Sequence, residues 1–154
     1  MEQKYNNIVL KELSARLPYM VMVQVTGDWF YDELPPYNNV LTISKLKEYK
    51  EGKFILKPYL RSLDSMTEDE RNELSKLLNY EFYVDDDCGL TAEDSRHRIS
   101  IELMSIYINY LILHHFDYNG LIEKDLAIEA PENMYTKFGD MDVEVTIEHK
   151  GNKL

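Results

Sequence analysis

The eight residues Ile106 to Leu113 read IYINYLIL, apolar nearly all round. A helix of that composition has no side that water favours, so it belongs at the centre of a core, and the rest of the chain must supply its partners. The expected helix is long, from about Thr91 to His115. Thr91-Ala92-Glu93-Asp94 supplies the start, and Ile99, Leu103, Ile106, Tyr107, Tyr110 and Leu113 or His114 form the stripe. With 154 residues, 44% of them hydrophobic, the chain can bury one core without disulfides or metals and is too short for two ordinary domains. A single domain spanning residues 1–154 is therefore expected.

The N-terminal half reads as sheet preceded by a helix. Val9, Leu10, Leu13 and Leu17 fall at helical spacings, Asn6 or Asn7 can cap, and Pro18 stops the segment. From Tyr19 to Val25 the period changes to two, with Tyr19, Val21, Val23 and Val25 on one face, which predicts a strand. Gly27-Asp28 turns it towards a second strand at Trp29-Phe30-Tyr31, with shorter strands at Val40 to Ile43 and Phe54 to Leu56 and one helical turn between Ser44 and Gly52. These pieces suggest an antiparallel meander. Thr67-Glu68-Asp69-Glu70 fits a capping box and opens a helix reaching about Tyr80, with Leu74, Leu77 and Leu78 as a narrow buried stripe. An extended link at Glu81 to Val84, a short strand at Leu126 to Ile128 and an alternating strand from Val143 to Ile147 complete the reading. The fold class expected is α+β: a mainly antiparallel sheet packed against the long helix of the C-terminal half, with two further helices.

Charge divides the chain. Residues 1–63 carry net +2, residues 64–148 hold 21 acidic and 6 basic residues, and the whole chain is at -11. Such a balance repels phosphate and anionic membranes in bulk. No apolar run reaches the roughly 20 residues of a spanning helix, no signal-peptide pattern opens the chain, and the single cysteine, Cys88, suits a reducing compartment. A cytoplasmic protein is expected.

Three stretches carry a resemblance. Leu10 to Tyr19 (LKELSARLPY), Leu56 to Arg71 (LKPYLRSLDSMTEDER) and His114 to Tyr135 (HHFDYNGLIEKDLAIEAPENMY), together 48 residues, resemble a family of small uncharacterised proteins encoded by phages and prophages of Bacteroides-group gut bacteria. The sequence departs from that family's wording at Met20 and Asp125, where glycine is commoner, at Ser62, where proline is, and at Asn119, where arginine is. The resemblance implies a phage or mobile-element origin and no reaction.

The chemistry-bearing groups are few. His114-His115 beside Asp117 is the densest set of potential ligands. Neighbouring imidazoles on a helix point about 100° apart, so only His114 and Asp117 can share a face, and two ligands do not make a metal site. The structural alternative places His114 in the core and His115 as a cation at the negative helix end. Asp85-Asp86-Asp87 with Gly89 fails the spacing of a calcium loop. Cys88 lies among carboxylates that raise its pKa, and His97 is its nearest candidate base. No phosphate loop, nucleophile elbow, HExxH or CxxC occurs. No cofactor or metal is expected.

The function expected is a non-enzymatic, phage-derived binding module acting through protein–protein contact. In its sharpest form it is an acidic inhibitor whose carboxylates imitate nucleic-acid phosphates before a basic host nuclease or defence complex. The contact residues expected are Asp85, Asp86, Asp87, Asp140, Asp142, Glu144, Tyr118 and Tyr135, with Tyr31 and Tyr37 also in turns or edges. One alternative is a small-ligand domain or enzyme with a pocket near the His114/His115 helix end. Another is single-stranded nucleic-acid binding through Lys45, Lys47, Lys50, Lys53, Lys57 and Arg61, interleaved with Tyr49, Phe54 and Tyr59.

Overall fold

The computed structural model describes residues 2–27, 35–78, 82–84, 90–92 and 100–135. Helix α1 (Glu2–Arg16) buries Val9 and Leu13 and gives way at Pro18 to a 3-10 turn, Leu17–Tyr19. Proline cannot continue the helical hydrogen-bond ladder, and Met20 reverses the chain in a left-handed conformation, φ 56°. Strand β1 (Met22–Thr26) follows, with Val23 and Val25 inward as the period-two pattern requires. Tyr19 lies in the turn and is exposed instead of joining that face.

The strand beside β1 is β2 (Tyr37–Val40), antiparallel with Val23 opposite Asn39. The sequence placed this piece at Val40 to Ile43. It stops earlier because Thr42 caps the next helix, its hydroxyl accepting the Lys45 amide at 3.3 Å. That helix, α2 (Ile43–Lys50), is a full eight residues where one turn was expected. Strand β3 (Ile55–Leu60) pairs antiparallel with the other edge of β1. The expected strands at Trp29 to Tyr31 and Val143 to Ile147 lie outside the described residues.

Helix α3 (Glu68–Leu77) starts at the complete capping box, Thr67 accepting from the Glu70 amide and the Glu70 carboxylate accepting from the Thr67 amide. Strands β4 (Phe82–Val84) and β5 (Leu90–Ala92) form a separate antiparallel pair. This pairing corrects the long helix expected from Thr91. Thr91 stands opposite Tyr83 in a ladder, and helix α4 (Ile101–Leu113) opens later, at Ser100, whose hydroxyl accepts the Leu103 amide at 3.1 Å. A cap signal competes with pairing, and here the sheet partner wins. Strand β6 (Ile128–Glu129) then runs parallel to β3, giving the sheet order β2-β1-β3-β6.

The result is one α+β domain, a four-stranded, mostly antiparallel sheet with four helices. Its apolar residues form two clusters. The first joins α1, the sheet and the 121–127 segment through Val9, Leu13, Val23, Leu56, Leu60 and Leu121. The second gathers Met66, Leu74 and Leu78 around Tyr110, Leu111 and Phe116. Helix α4 is thus not the all-round buried centre that IYINYLIL suggested. Tyr110 and Leu111 are buried, whereas Met104 and Leu113 are exposed and Ile101 is 91% exposed. No helix among the described residues is long and apolar enough to cross a membrane.

Candidate functional site

The C-terminal end of α4 is where α1, β3, α3 and the 114–135 segment meet. The last turn closes as a Schellman motif: the His115 amide donates to the Ile112 carbonyl at 3.2 Å and the Phe116 amide to the Leu111 carbonyl at 2.8 Å. His115 occupies the position at which glycine is usual, with φ 61°. Its backbone is fixed on the other side as well, because its carbonyl accepts the Arg61 amide at 2.8 Å.

That geometry reverses the expected roles of the two histidines. His115, expected as a cation at the helix end, is 6% exposed and stacked on the Tyr135 ring at 4.0 Å between centroids. Burial pushes its imidazole pKa down to about 3, Arg16 and His114 push the same way, and only the Tyr19 backbone opposes them. The ring is therefore neutral at pH 7. His114, expected in the core, is half-buried and stacks on Tyr110 at 4.2 Å. Burial lowers its pKa too, partly offset by Glu70 and Glu73.

The side chains that hold this corner were not singled out by the sequence. Arg16 and Glu12 of α1 are 0% and 2% exposed. The Arg16 Nε donates to Glu12 at 2.6 Å, and its two terminal nitrogens donate to the carbonyls of Phe116 at 2.6 Å and Ile112 at 3.2 Å. The second Glu12 oxygen accepts from Asn119 at 2.7 Å. A buried ion pair is tolerated only when its remaining donors and acceptors are met in this way. The one sequence signal was the Glu12/Arg16 spacing of four, which on most helices marks a solvated pair.

A second polar group lies on the α3 side. Arg61 grips Glu70 with both terminal nitrogens, at 2.6 and 2.9 Å, and its guanidinium lies 4.2 Å from the Phe116 ring centroid. Burial alone would raise the Glu70 carboxyl, but Arg61 and the Thr67 amide outweigh it and hold the pKa at about 2. The Tyr110 hydroxyl donates to Glu73 at 2.9 Å; burial first, and then this carboxylate, push its pKa up.

Asp117, the expected partner of His114, accepts the amides of Leu121 and Ile122, one on each oxygen at 2.8 Å, and so closes the turn. At the corner itself, His115 Nδ1 has no hydrogen-bond partner and Tyr135 covers the ring. Tyr135 is itself engaged, its hydroxyl donating to the Tyr59 carbonyl at 2.6 Å and accepting from the Met22 amide at 3.2 Å. Tyr118 is half-buried with the Arg16 guanidinium 5.8 Å from its ring, while Tyr37 is exposed on β2. Among the described residues no group of three or more His, Cys, Asp or Glu converges as a metal site would.

The aromatic rings of the lysine stretch are engaged with the core to different degrees. Tyr59 is buried with its hydroxyl donating to Asn38, and Tyr49 and Phe54 pack on the first cluster. Three of its six cations are paired: Lys53 with Glu51, Lys57 with Asp125 and Arg61 with Glu70. Asp85, Asp86, Asp87, Asp140, Asp142 and Glu144 lie outside the described residues, as do Cys88, His97 and Tyr31. Carboxylates that are described and exposed include Asp64, just before α3, Glu68 and Asp69 in its first turn and Glu73 in its middle. The outward side of α4 is a shallow apolar depression lined by Ser100, Ile101, Met104, Ser105 and Ile108. No protein-family model, curated protein or solved structure matches the chain.

Proposed function

We propose that the chain is a non-enzymatic binding module of phage or prophage origin that docks, in the host cytoplasm, on a basic nucleic-acid-binding protein such as a nuclease or defence complex. The observation that carries the reading is the exposed carboxylate group Asp64, Glu68, Asp69 and Glu73. Two basic residues beside it are engaged elsewhere, Arg61 holding Glu70 and Arg71 donating to the Met66 carbonyl at 3.1 Å, while Lys76 stands exposed at the far end of α3. Asp64, Glu68 and Asp69 form no ion pair with a described residue. A surface left negative in this way attracts a basic groove and accelerates encounter with it. It extends the acidic contact set beyond Asp85 to Asp87, Asp140, Asp142 and Glu144, within the same 64–148 segment that carries net -15.

The test is capture of proteins from host-cell lysate on the immobilised chain and on the triple variant Asp64→Asn, Glu68→Gln, Asp69→Asn. The reading expects the native chain to retain a basic nucleic-acid-binding protein that 0.3 M salt or the triple substitution releases, since contacts of this kind are screened within about 8 to 10 Å at moderate ionic strength. Equal retention by both chains, or retention insensitive to salt, overturns it. Each first-turn carboxylate interacts with the helix dipole by only about 0.3–1 kcal/mol, so the variant should remain folded, which circular dichroism checks.

A further inference from the structure

We propose that the corner formed by His115 and Tyr135 is an acid-sensitive latch: protonating the buried imidazole releases Tyr135 from the two central strands of the sheet while α3 and its neighbours stay folded. Four features of the corner lead there. The imidazole is 6% exposed and its Nδ1 has no hydrogen-bond partner. One face of the ring is covered by Tyr135, at 4.0 Å and 28° between planes. The backbone cannot swing the ring outward, because His115 is held on one side by the Ile112 carbonyl and on the other by the Arg61 amide. The charged groups bearing on the ring from the surrounding elements are Arg16 of α1, Arg61 beyond the end of β3 and His114 at the end of α4, and each of them opposes a positive charge; only the Tyr19 backbone favours one.

A proton arriving on His115 therefore makes a buried cation beside two guanidiniums. Glu12, the carboxylate nearest to Arg16 in this network, is already bound to Arg16 and Asn119. An uncompensated buried charge is costly, and the system relieves it by letting water reach the group. The covering element is Tyr135, anchored by two hydrogen bonds through one hydroxyl, to Tyr59 and Met22. Moving that ring exposes the imidazole without breaking the Schellman bonds, the capping box or the Arg61–Glu70 pair. The Met22 amide, which donates to Tyr135, then loses its partner, and this gives the latch a site-specific reporter.

The experiment is hydrogen exchange by NMR on the intact chain from pH 7 to pH 4, corrected for intrinsic exchange, with the imidazole signals of His115 followed in the same samples. The opening equilibrium reported by the Met22 amide should rise close to tenfold per pH unit below about pH 6, as linkage to one proton requires, while the Leu74 amide of α3 keeps its protection. In His115→Asn, where asparagine accepts the left-handed backbone, Met22 protection should not depend on pH. Simultaneous loss at Met22 and Leu74, or the same pH slope in wild type and His115→Asn, overturns the latch. So does a wild-type His115 that titrates near pH 6.5 with Met22 still protected, a result that needs no variant.

Discussion

Arg16 donates to the main-chain carbonyl of Phe116 at 2.6 Å, across one hundred residues of chain, and through this bond the first helix closes the end of the fourth. The same guanidinium also reaches the Ile112 carbonyl, adding a second donor to the one that the His115 amide supplies at the end of α4. Leu13, one turn earlier on α1, belongs to the sheet-side cluster, and Phe116 belongs to the cluster beneath α3. The ion pair of Glu12 and Arg16 thus sits at the seam between two apolar clusters and ties them into one fold.

Arg16→Ala is expected to destabilise the chain by about 3–5 kcal/mol, because it strands the Glu12 charge in the interior and removes one donor from each of two carbonyls. Urea unfolding at pH 7 measures it. Glu12→Gln with Arg16→Met, which removes both charges and keeps the volume, should recover a large part of that loss. A loss below about 1 kcal/mol in Arg16→Ala would place the pair among solvated surface pairs.

Glu70 predicts an acid limb. Its carboxyl is held at about 2 in the fold against an ordinary 4.5, so its contribution is fully present above pH 4.5 and is lost as the pH falls towards 2. Solvent screens part of this half-exposed group, so the contribution is about 1–2 kcal/mol. Glu70→Gln should be less stable than wild type at pH 6 and nearly equal to it at pH 2.5, read as converging urea midpoints. Thr67→Ala, which removes the cap and a hydroxyl that also donates to Glu70 at 3.1 Å, should cost about 1 kcal/mol and converge less, because Arg61 still holds the carboxylate.

Met20 sits at φ 56° and Asp125 at φ 55°, both in the left-handed region. A non-glycine residue there carries a steric cost of about 1–2 kcal/mol. Met20→Gly should therefore raise stability by about 0.5–1 kcal/mol after the added chain entropy of the unfolded state is subtracted. At Asp125 the gain should be smaller, since glycine also removes the exposed Lys57 partner at 2.6 Å. Thermal melts of the two single variants check the order.

Local signals read well wherever the local partner is also the final one. The Thr67 box, the Val23/Val25 alternation and the stop at Pro18 are satisfied within a few residues and appear where the sequence put them. Thr91 failed because its competing partner, Tyr83 on β4, is not visible from a cap pattern. The histidine corner failed for a related reason: which imidazole is buried depends on Arg61, Tyr135 and a left-handed turn, supplied by distant segments. Nothing in the spacing of Glu12 and Arg16 tells a buried pair from a surface one, since burial is decided by what α1 packs against. The stretches 10–19, 56–71 and 114–135, quoted for their wording alone, supply Arg16, Arg61 and His115, which come together at this corner.

The last expectation concerns α4, whose composition promised burial on all sides. Leu111 is fully buried in the second cluster, whereas Ile101 is 91% exposed and Met104 is 40% exposed. Leu111→Ala removes packed methyl groups and leaves a cavity, so it should cost about 2–5 kcal/mol. Ile101→Ser deletes a side chain that already stands in water and should change stability by no more than about 0.5 kcal/mol. Paired chemical denaturation of the two variants separates them. If Ile101→Ser costs as much as Leu111→Ala, the outward side of α4 is covered and the helix is central after all. If the costs divide as expected, the apolar row of Ile101, Met104 and Ile108 is surface, and its hydrophobicity contributes nothing to folding.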